Sequence, residues 1–340
     1  MNSVLVVQLK RLGDLVLTTP ALNILRKLYP RAEITLLIDW HSHALAPAIA
    51  GVNQIWAYRG PNSIWMNLFK AGFDLCLDFT GNDRSALVSL LSKAPKRLGF
   101  SFVARRPFRS LAYTQLVSSP VRDKHTVDHY LDLVRSLANF DSDADITLQL
   151  PDRIRQSLSS LSDEFSLPAD YFVVHPGSAR AEKYWMTDRW AETIAYAQKR
   201  FKLPCVVTGG RDPTELRHIS EILLKSGDRS DIFNLAGKAD LLVGAALIER
   251  AAFFIGVDTV AAHFAAAFHR PSITLFGPTN PFHWHARHPR AIVLRAGFPG
   301  PIEDFDPHQK GAPMSELSTG AIIRAMELLL KGGSGREKCR

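Results

Sequence analysis

The strongest constraint in this 340-residue chain comes near its start. An apolar run, Val4-Leu5-Val6-Val7, breaks at Arg11-Leu12-Gly13-Asp14, and apolar residues return with helical spacing at Leu17, Ala21, Leu22, Leu25 and Leu28. The pattern predicts a strand, a tight glycine loop and a helix, with a carboxylate at the loop. Ligands of open α/β sheets bind in the crevice beyond the carboxyl ends of the strands, so Asp14 stands where chemistry is expected. The loop carries neither the G-x-G-x-x-G of a dinucleotide site nor the G-x-x-x-x-G-K-[ST] of a P-loop; it has Gly13 alone, preceded by Lys10 and Arg11. Two readings of Asp14 stay open at this point. It is a general base or ligand-orienting acid at a helix start, or it caps the helix and settles its dipole.

A chain of this length exceeds the size at which one hydrophobic core stops growing, so two domains are expected. With 46% hydrophobic and 22% charged residues the composition is that of a soluble globular protein. No apolar stretch approaches the ~18 to 20 residues of a membrane span. Met1 is followed directly by a strand pattern without a signal peptide, which predicts a cytoplasmic protein. Cys76, Cys205 and Cys339 are isolated and match no zinc spacing; Cys76 and Cys205 lie in apolar strand patterns and are expected in the core as reduced thiols.

The alternation of strands and helices occurs twice. Strands are predicted over 4–8, 33–38, 54–57 and 75–79, and this first series ends near residues 145–150. A helix-containing connector follows from Pro151 to Pro168, and a new strand, Tyr171-Phe172-Val173-Val174, opens the second series before the glycine loop His175-Pro176-Gly177-Ser178. Further strands are predicted over 205–208, 232–235, 253–256 and 272–276, and a final helix over 317–330. The expectation is two parallel sheets, each covered on both faces. The domains are placed at 1–155 and 156–330, with 331–340 a Gly/Ser/charged tail expected to be flexible.

The net charge of +8 is unevenly distributed. Lys93, Lys96, Arg97, Arg105, Arg106 and Arg109 fall together without an acid, interleaved with Phe100, Phe102 and Phe108. Such a patch attracts phosphates of a nucleic acid, a membrane surface or an anionic substrate. No nucleic-acid motif accompanies it, and Pro95, Gly99 and Pro107 predict a loop rather than a recognition helix. An anionic acceptor site and a merely solvated surface both remain open.

Phosphate-binding features concentrate in the second half. Asp258-Thr259 follows the strand ending at Val257 and precedes a small-residue helix, Val260 to Ala267, that contains His263. Asp258 or Thr259 would cap that helix and leave its first amides to an anion such as a diphosphate; a closely packed structural helix is the other reading. Ser178, Arg180, Lys183 and Trp185 follow the opening strand within a few residues. A lysine and a hydroxyl there could neutralise a departing nucleoside diphosphate in place of a metal, unless the segment is only a surface loop. Gly277-Pro278-Thr279 again puts a glycine and a hydroxyl at a carboxyl strand end. His283, His285 and His288 match no H-E-x-x-H helix, and no metal is expected.

Taken together, Arg11-Leu12-Gly13-Asp14-Leu15-Val16-Leu17-Thr18-Thr19-Pro20-Ala21-Leu22, His175-Pro176-Gly177-Ser178 with Lys183-Tyr184-Trp185, and Gly256-Val257-Asp258-Thr259 through Phe276-Gly277-Pro278-Thr279 closely resemble the bacterial ADP-heptose:lipopolysaccharide heptosyltransferases, glycosyltransferase family nine. The resemblance covers essentially the whole chain. It implies an α/β GT-B fold, two Rossmann-like domains facing across a cleft, with acceptor on the N-terminal side and nucleotide sugar on the C-terminal side. It implies an inverting transfer of heptose from ADP-heptose to the anionic inner core of lipopolysaccharide, with neither metal nor cofactor and no nucleic-acid partner. Carried over by position, Asp14 would be the general base and Lys183 the second catalytic group. Ser178, Lys183, Asp258, Thr259, His263, Gly277 and Thr279 would bind the donor. Lys10, Arg11, Arg97, Arg105 and Arg106 would face the acceptor, with peripheral contact at the inner face of the inner membrane. Many members read Asp-Thr-Gly where this chain has Asp258-Thr259-Val260, and the valine is similar to the third heptosyltransferase of the core pathway. A GT-B enzyme for another nucleotide sugar, or a non-catalytic sugar-nucleotide-binding protein, remains the alternative.

Overall fold

The computed structural model describes residues 1–60, 64–138, 140, 145–227 and 229–331. The expected tail, with Cys339, lies outside the described residues from 332 onward. The chain divides into two compact units, Met1–Gln149 and Leu150–Arg340.

The first unit runs β1 (Ser3–Gln8), α1 (Leu12–Leu28), β2 (Glu33–Asp39), β3 (Gln54–Tyr58), α2 (Trp65–Ala71), β4 (Leu75–Asp78), α3 (Asp83–Leu91), β5 (Lys96–Phe100), α4 (Pro107–Ser110), β6 (Gln115–Val117) and α5 (Thr126–Arg135). Its strands form, among the described residues, a six-stranded sheet in the order β3-β2-β1-β4-β5-β6. Every pairing is parallel. Val4 to Val7 of the central strand are completely buried, as a strand covered by helices on both faces must be.

The second unit runs α6 (Asp152–Glu164), β7 (Phe172–His175), α7 (Thr187–Phe201), β8 (Cys205–Val207), α8 (Pro213–Ser226), β9 (Ile232–Asn234), α9 (Leu241–Arg250), β10 (Phe254–Val257), α10 (Val260–Ala267), β11 (Ser272–Phe276), α11 (Pro281–Trp284), β12 (Ala291–Arg295), β13 (Pro301–Ile302) and α12 (Thr319–Lys331). Its sheet has the order β13-β12-β11-β10-β7-β8-β9. All pairs are parallel except the short β12–β13 edge. Counted from the first strand of each unit, both sheets follow the doubly wound order 3-2-1-4-5-6, the second with one extra edge strand. The order reverses between β1 and β4 in the first unit and between β7 and β10 in the second. Those are the places where ligands of such sheets bind.

The division between the units falls ahead of the expected boundary at 155, which would cut α6. That helix packs on α9 of the second unit, where Arg155 Nη2 donates to Glu249 Oε1 at 3.1 Å. The stretch expected as a loop from Lys93 to Arg109 instead contains β5 and α4. Leu98 and Phe100 supply the buried strand positions, and a Cβ at Gly99 would stand 2.7 Å from the Tyr113 ring, so glycine lets that ring close over the strand. The basic residues and the glycine hide a strand whose apolar content is small. No strand forms over 145–150.

Each unit packs a hydrophobic core of its own. In the second unit Trp185 and Trp190 meet edge to face at 5.2 Å, and Trp185 Nε1 donates to the Leu317 carbonyl at 2.9 Å, tying the approach to α12 onto the core. Cys76 and Cys205 are buried in β4 and β8, and burial pushes the Cys76 thiol up to about 12. Among the described residues no helix is long and apolar enough to cross a membrane.

Candidate active site

The expected glycine loop after β1 is tighter than the sequence suggests, because α1 begins at Leu12 with Arg11 as its N-cap residue. Asp14 is therefore in the first helical turn, where the dipole favours a carboxylate. It does not cap the helix. Its Oδ1 accepts a 2.6 Å hydrogen bond from the Tyr130 hydroxyl on α5. Pro20 inside α1 removes the donor to the Val16 carbonyl, and Thr19 Oγ1 takes that carbonyl at 2.8 Å. Thr18 Oγ1 donates to the Asp14 carbonyl at 2.7 Å and accepts from Gln8 Nε2 at 2.7 Å, fastening the first turns of α1 to the end of β1.

At the reversal point of the second sheet, the ammonium of Lys183 donates to the Asp258 carbonyl at 2.9 Å and to Asp258 Oδ2 at 2.6 Å. Thr279 Oγ1 donates to the same Oδ2 at 2.8 Å. Three residues expected at the donor site, from the ends of β10 and β11 and the segment after β7, are thus joined in one network. The carboxylate and ammonium side chains retain only 10% and 13% of their exposure, which a charge pair tolerates because each satisfies the other. The two bonds use two of the three protons of Lys183.

Neither Asp258 nor Thr259 caps α10, contrary to expectation. Asp258 is held by Lys183 and Thr279, and Thr259, at the N-cap position, makes no side-chain cap bond and leaves its buried Oγ1 without a partner among the described residues. The Val260 and Ala261 amides of the first α10 turn therefore keep their capacity for an anion, while the Ala262 amide donates to the Thr259 carbonyl at 3.2 Å. Val260 is the first residue of that helix, a backbone any residue adopts, so glycine is not required there. His263 is buried in α10. Ser178, in the segment after β7, is buried, and its Oγ accepts from the Arg180 amide at 3.2 Å. Gly277 has a packing role: a Cβ there would collide with the Met314 side chain, and its carbonyl accepts from the Ala312 amide at 2.9 Å.

The acceptor-side expectations separate. Lys10 is turned inward, its Nζ 3.3 Å from the Tyr130 hydroxyl, and burial lowers its pKa although Asp14 and Asp78 oppose the shift. Arg97 is committed to the fold, donating to the Ala112 and Ala94 carbonyls, each at 2.7 Å. Arg109 pairs with Asp83. Arg11, Arg105 and Arg106 are exposed. Around Arg105 and Arg106, Phe108 is 91% and Leu111 71% exposed, an apolar tip with cationic flanks. His283, His285 and His288 do not converge. His285 stacks on Phe305 at 4.2 Å, and His288 Nε2 meets Ser272 Oγ at 3.0 Å.

Three groups at these strand ends escaped sequence reading. Asp78, completely buried at the end of β4 opposite Val7, accepts from the Thr80 and Gly81 amides at 2.7 and 3.1 Å and from the Tyr113 hydroxyl at 2.5 Å. Burial pushes its pKa up. A lone carboxylate closing the run Leu75-Cys76-Leu77 was its sequence signal. Tyr130 had none, since an aromatic on an amphipathic helix reads as core. Glu215, in the first turn of α8, is buried with Oε1 accepting from the Gly210 amide at 2.7 Å; its side chain fills the space a Cβ at Gly177 would need.

Comparison with known proteins finds relatives of the chain. Residues 62–306 match the sequence model of glycosyltransferase family 9 (heptosyltransferase). The chain is 26% identical over 299 residues to lipopolysaccharide heptosyltransferase 3 of Escherichia coli K12, covering 84% of this chain and 85% of that one. The crystal structure of the glycosyl transferase family 9 from Veillonella parvula is similar with a TM-score of 0.81 at 24% identity, over 97% of both chains. E. coli heptosyltransferase WaaC, solved with ADP-2-deoxy-2-fluoro heptose, is similar with a TM-score of 0.70 at 21% identity, over 96% of this chain and 99% of that one.

Proposed function

The chain belongs to glycosyltransferase family 9, the heptosyltransferases, and from that membership we propose that it moves heptose from ADP-heptose to the anionic inner core of lipopolysaccharide by an inverting, metal-independent reaction in which Asp14 is the general base. Its fold is GT-B, and it is a glycosyltransferase of lipopolysaccharide synthesis similar to heptosyltransferase 3.

The single observation that carries the reading is the Lys183–Asp258–Thr279 network at the reversal point of the second sheet. A fixed ammonium with one proton to spare, beside unclaimed amides at the start of α10, suits a diphosphate and supplies the charge that a metal would otherwise bring. WaaC, a structural relative, binds an ADP-heptose analogue. In the reaction, the acceptor hydroxyl attacks the anomeric carbon and its proton passes to Asp14. The bond from that carbon to the diphosphate breaks, and ADP leaves with the bonding electrons. Lys183 and the α10 amides stabilise the negative charge that gathers on ADP. Asp14 raises the nucleophilicity of the hydroxyl without becoming covalently attached.

Ser178, Thr259, His263 and Thr279 complete the donor site in this reading, while Gly277 lets Met314 pack behind it. Arg105 and Arg106 attract the phosphorylated acceptor, and the exposed Phe108 and Leu111 that follow them suit a protein that works peripherally at the cytoplasmic face of the inner membrane.

Thermal unfolding of the purified chain with ADP, UDP, GDP or NAD, with and without magnesium, tests the donor. Selective, magnesium-independent stabilisation by ADP is expected. A shift only with UDP or GDP would replace the donor, and no shift with any nucleotide would remove the diphosphate site.

A further inference from the structure

We propose that Tyr130 is the positioning residue of the base, presenting Asp14 Oδ2 to the acceptor by holding Oδ1, and that Lys10 acts through Tyr130 rather than on the acceptor; this rests on the reading of Asp14 as general base. A carboxylate in the first turn of a helix ordinarily turns about its side-chain bonds, and a base that turns is seldom in line with the proton it takes. Here the turning is stopped from a different helix. Tyr130 is completely buried on α5, which packs along α1, and its ring sits edge to face against Phe79 at 5.5 Å. The phenol has little freedom, and its hydroxyl donates to Asp14 Oδ1 at 2.6 Å. Oδ2 has no partner among the described residues and is left for the acceptor.

The direction of the hydrogen bond follows from charge. Burial and the Asp14 carboxylate both push the Tyr130 hydroxyl well above its ordinary pKa, so it stays protonated and donates. Lys10 Nζ lies 3.3 Å from the same oxygen and 5.1 Å from the ring centroid. It donates to a lone pair of the phenol, which polarises the hydroxyl toward Asp14. A lysine in that position is half-buried, and a lipopolysaccharide phosphate would have to compete with the tyrosine for it. Lys10 therefore affects turnover rather than acceptor affinity.

The test is a kinetic cycle on the full chain with ADP-heptose and lipopolysaccharide acceptor. Tyr130→Phe keeps the ring against Phe79 and removes the hydroxyl, and with it the bonds to Asp14 and from Lys10. The expected loss in kcat is roughly 10- to 100-fold, with KM for both substrates unchanged. Lys10→Met reproduces part of that loss, Lys10→Arg restores it, and neither moves the acceptor KM. In an Asp14→Asn background, Tyr130→Phe costs nothing further, because both changes act on one group. A full additional loss in the double variant, or a raised acceptor KM with kcat intact, would overturn the inference while leaving Asp14 as base. Near-wild-type turnover of Asp14→Asn alone would instead remove the base assignment itself, and the inference with it. Should Tyr130→Phe not fold, the Lys10 pair decides between kcat and KM.

Discussion

Lys183 Nζ lies 2.6 Å from Asp258 Oδ2, and both groups are nearly withdrawn from solvent. An ammonium held by a buried carboxylate is restrained, and in the proposed reaction it would already stand where the charge on the diphosphate develops. Such fixed charges need no reorganisation during reaction, which is how preorganised sites lower barriers.

Replacing this lysine therefore has two consequences. Lys183→Ala is expected to raise the donor KM and lower kcat together. It also leaves Asp258 buried without its partner, at a cost of about 3 kcal/mol of stability, read as a lower urea midpoint. Unchanged kinetics in a folded variant would place Lys183 outside the donor site.

The alternation of strands and helices, the two units and the placing of Asp14, Lys183, Asp258 and Thr279 at carboxyl strand ends were legible in the sequence, because period and strand-end position are local properties. The partner of each was not. Lys183 and Asp258 are far apart in sequence, as are Asp14 and Tyr130, and only the doubly wound topology brings each pair together. β5 was missed because Lys96, Arg97 and Gly99 mask its short apolar content. Arg97, expected to face the acceptor, is a related case: nothing in a sequence says that a guanidinium donates to carbonyls of its own chain.

The basic segment should accordingly divide by function. Arg105→Ala and Arg106→Ala are expected to raise the acceptor KM by roughly tenfold at low ionic strength, an effect that fades as salt screens exposed charge. Arg97→Ala should instead lower thermal stability and leave the salt response alone. An acceptor KM insensitive to salt, or equal effects from all three variants, would contradict this division.

Stability should fall on mild acidification. Burial lowers His129 to about 3, and His175 and His288 each to about 4. Above the ordinary histidine pKa of about 6.5 both folded and unfolded chains hold these rings neutral, so they add no pH dependence. Below it the unfolded chain takes up protons that the folded chain refuses, and stability drops until pH approaches 4. Urea midpoints at pH 7 and pH 5 measure this, and His129→Gln should show a smaller drop than the wild type. Equal midpoints at the two pH values would show that these rings are protonated in the fold.

The most direct measurement is the single-turnover rate of heptose transfer from ADP-heptose by Asp14→Asn, with ADP affinity measured on the same sample. Asparagine keeps the shape and the hydrogen bond from Tyr130 but cannot accept the proton. The account predicts a rate lower by about 10²- to 10⁴-fold with ADP affinity unchanged. A rate near that of the wild type would contradict the assignment of Asp14 as the base.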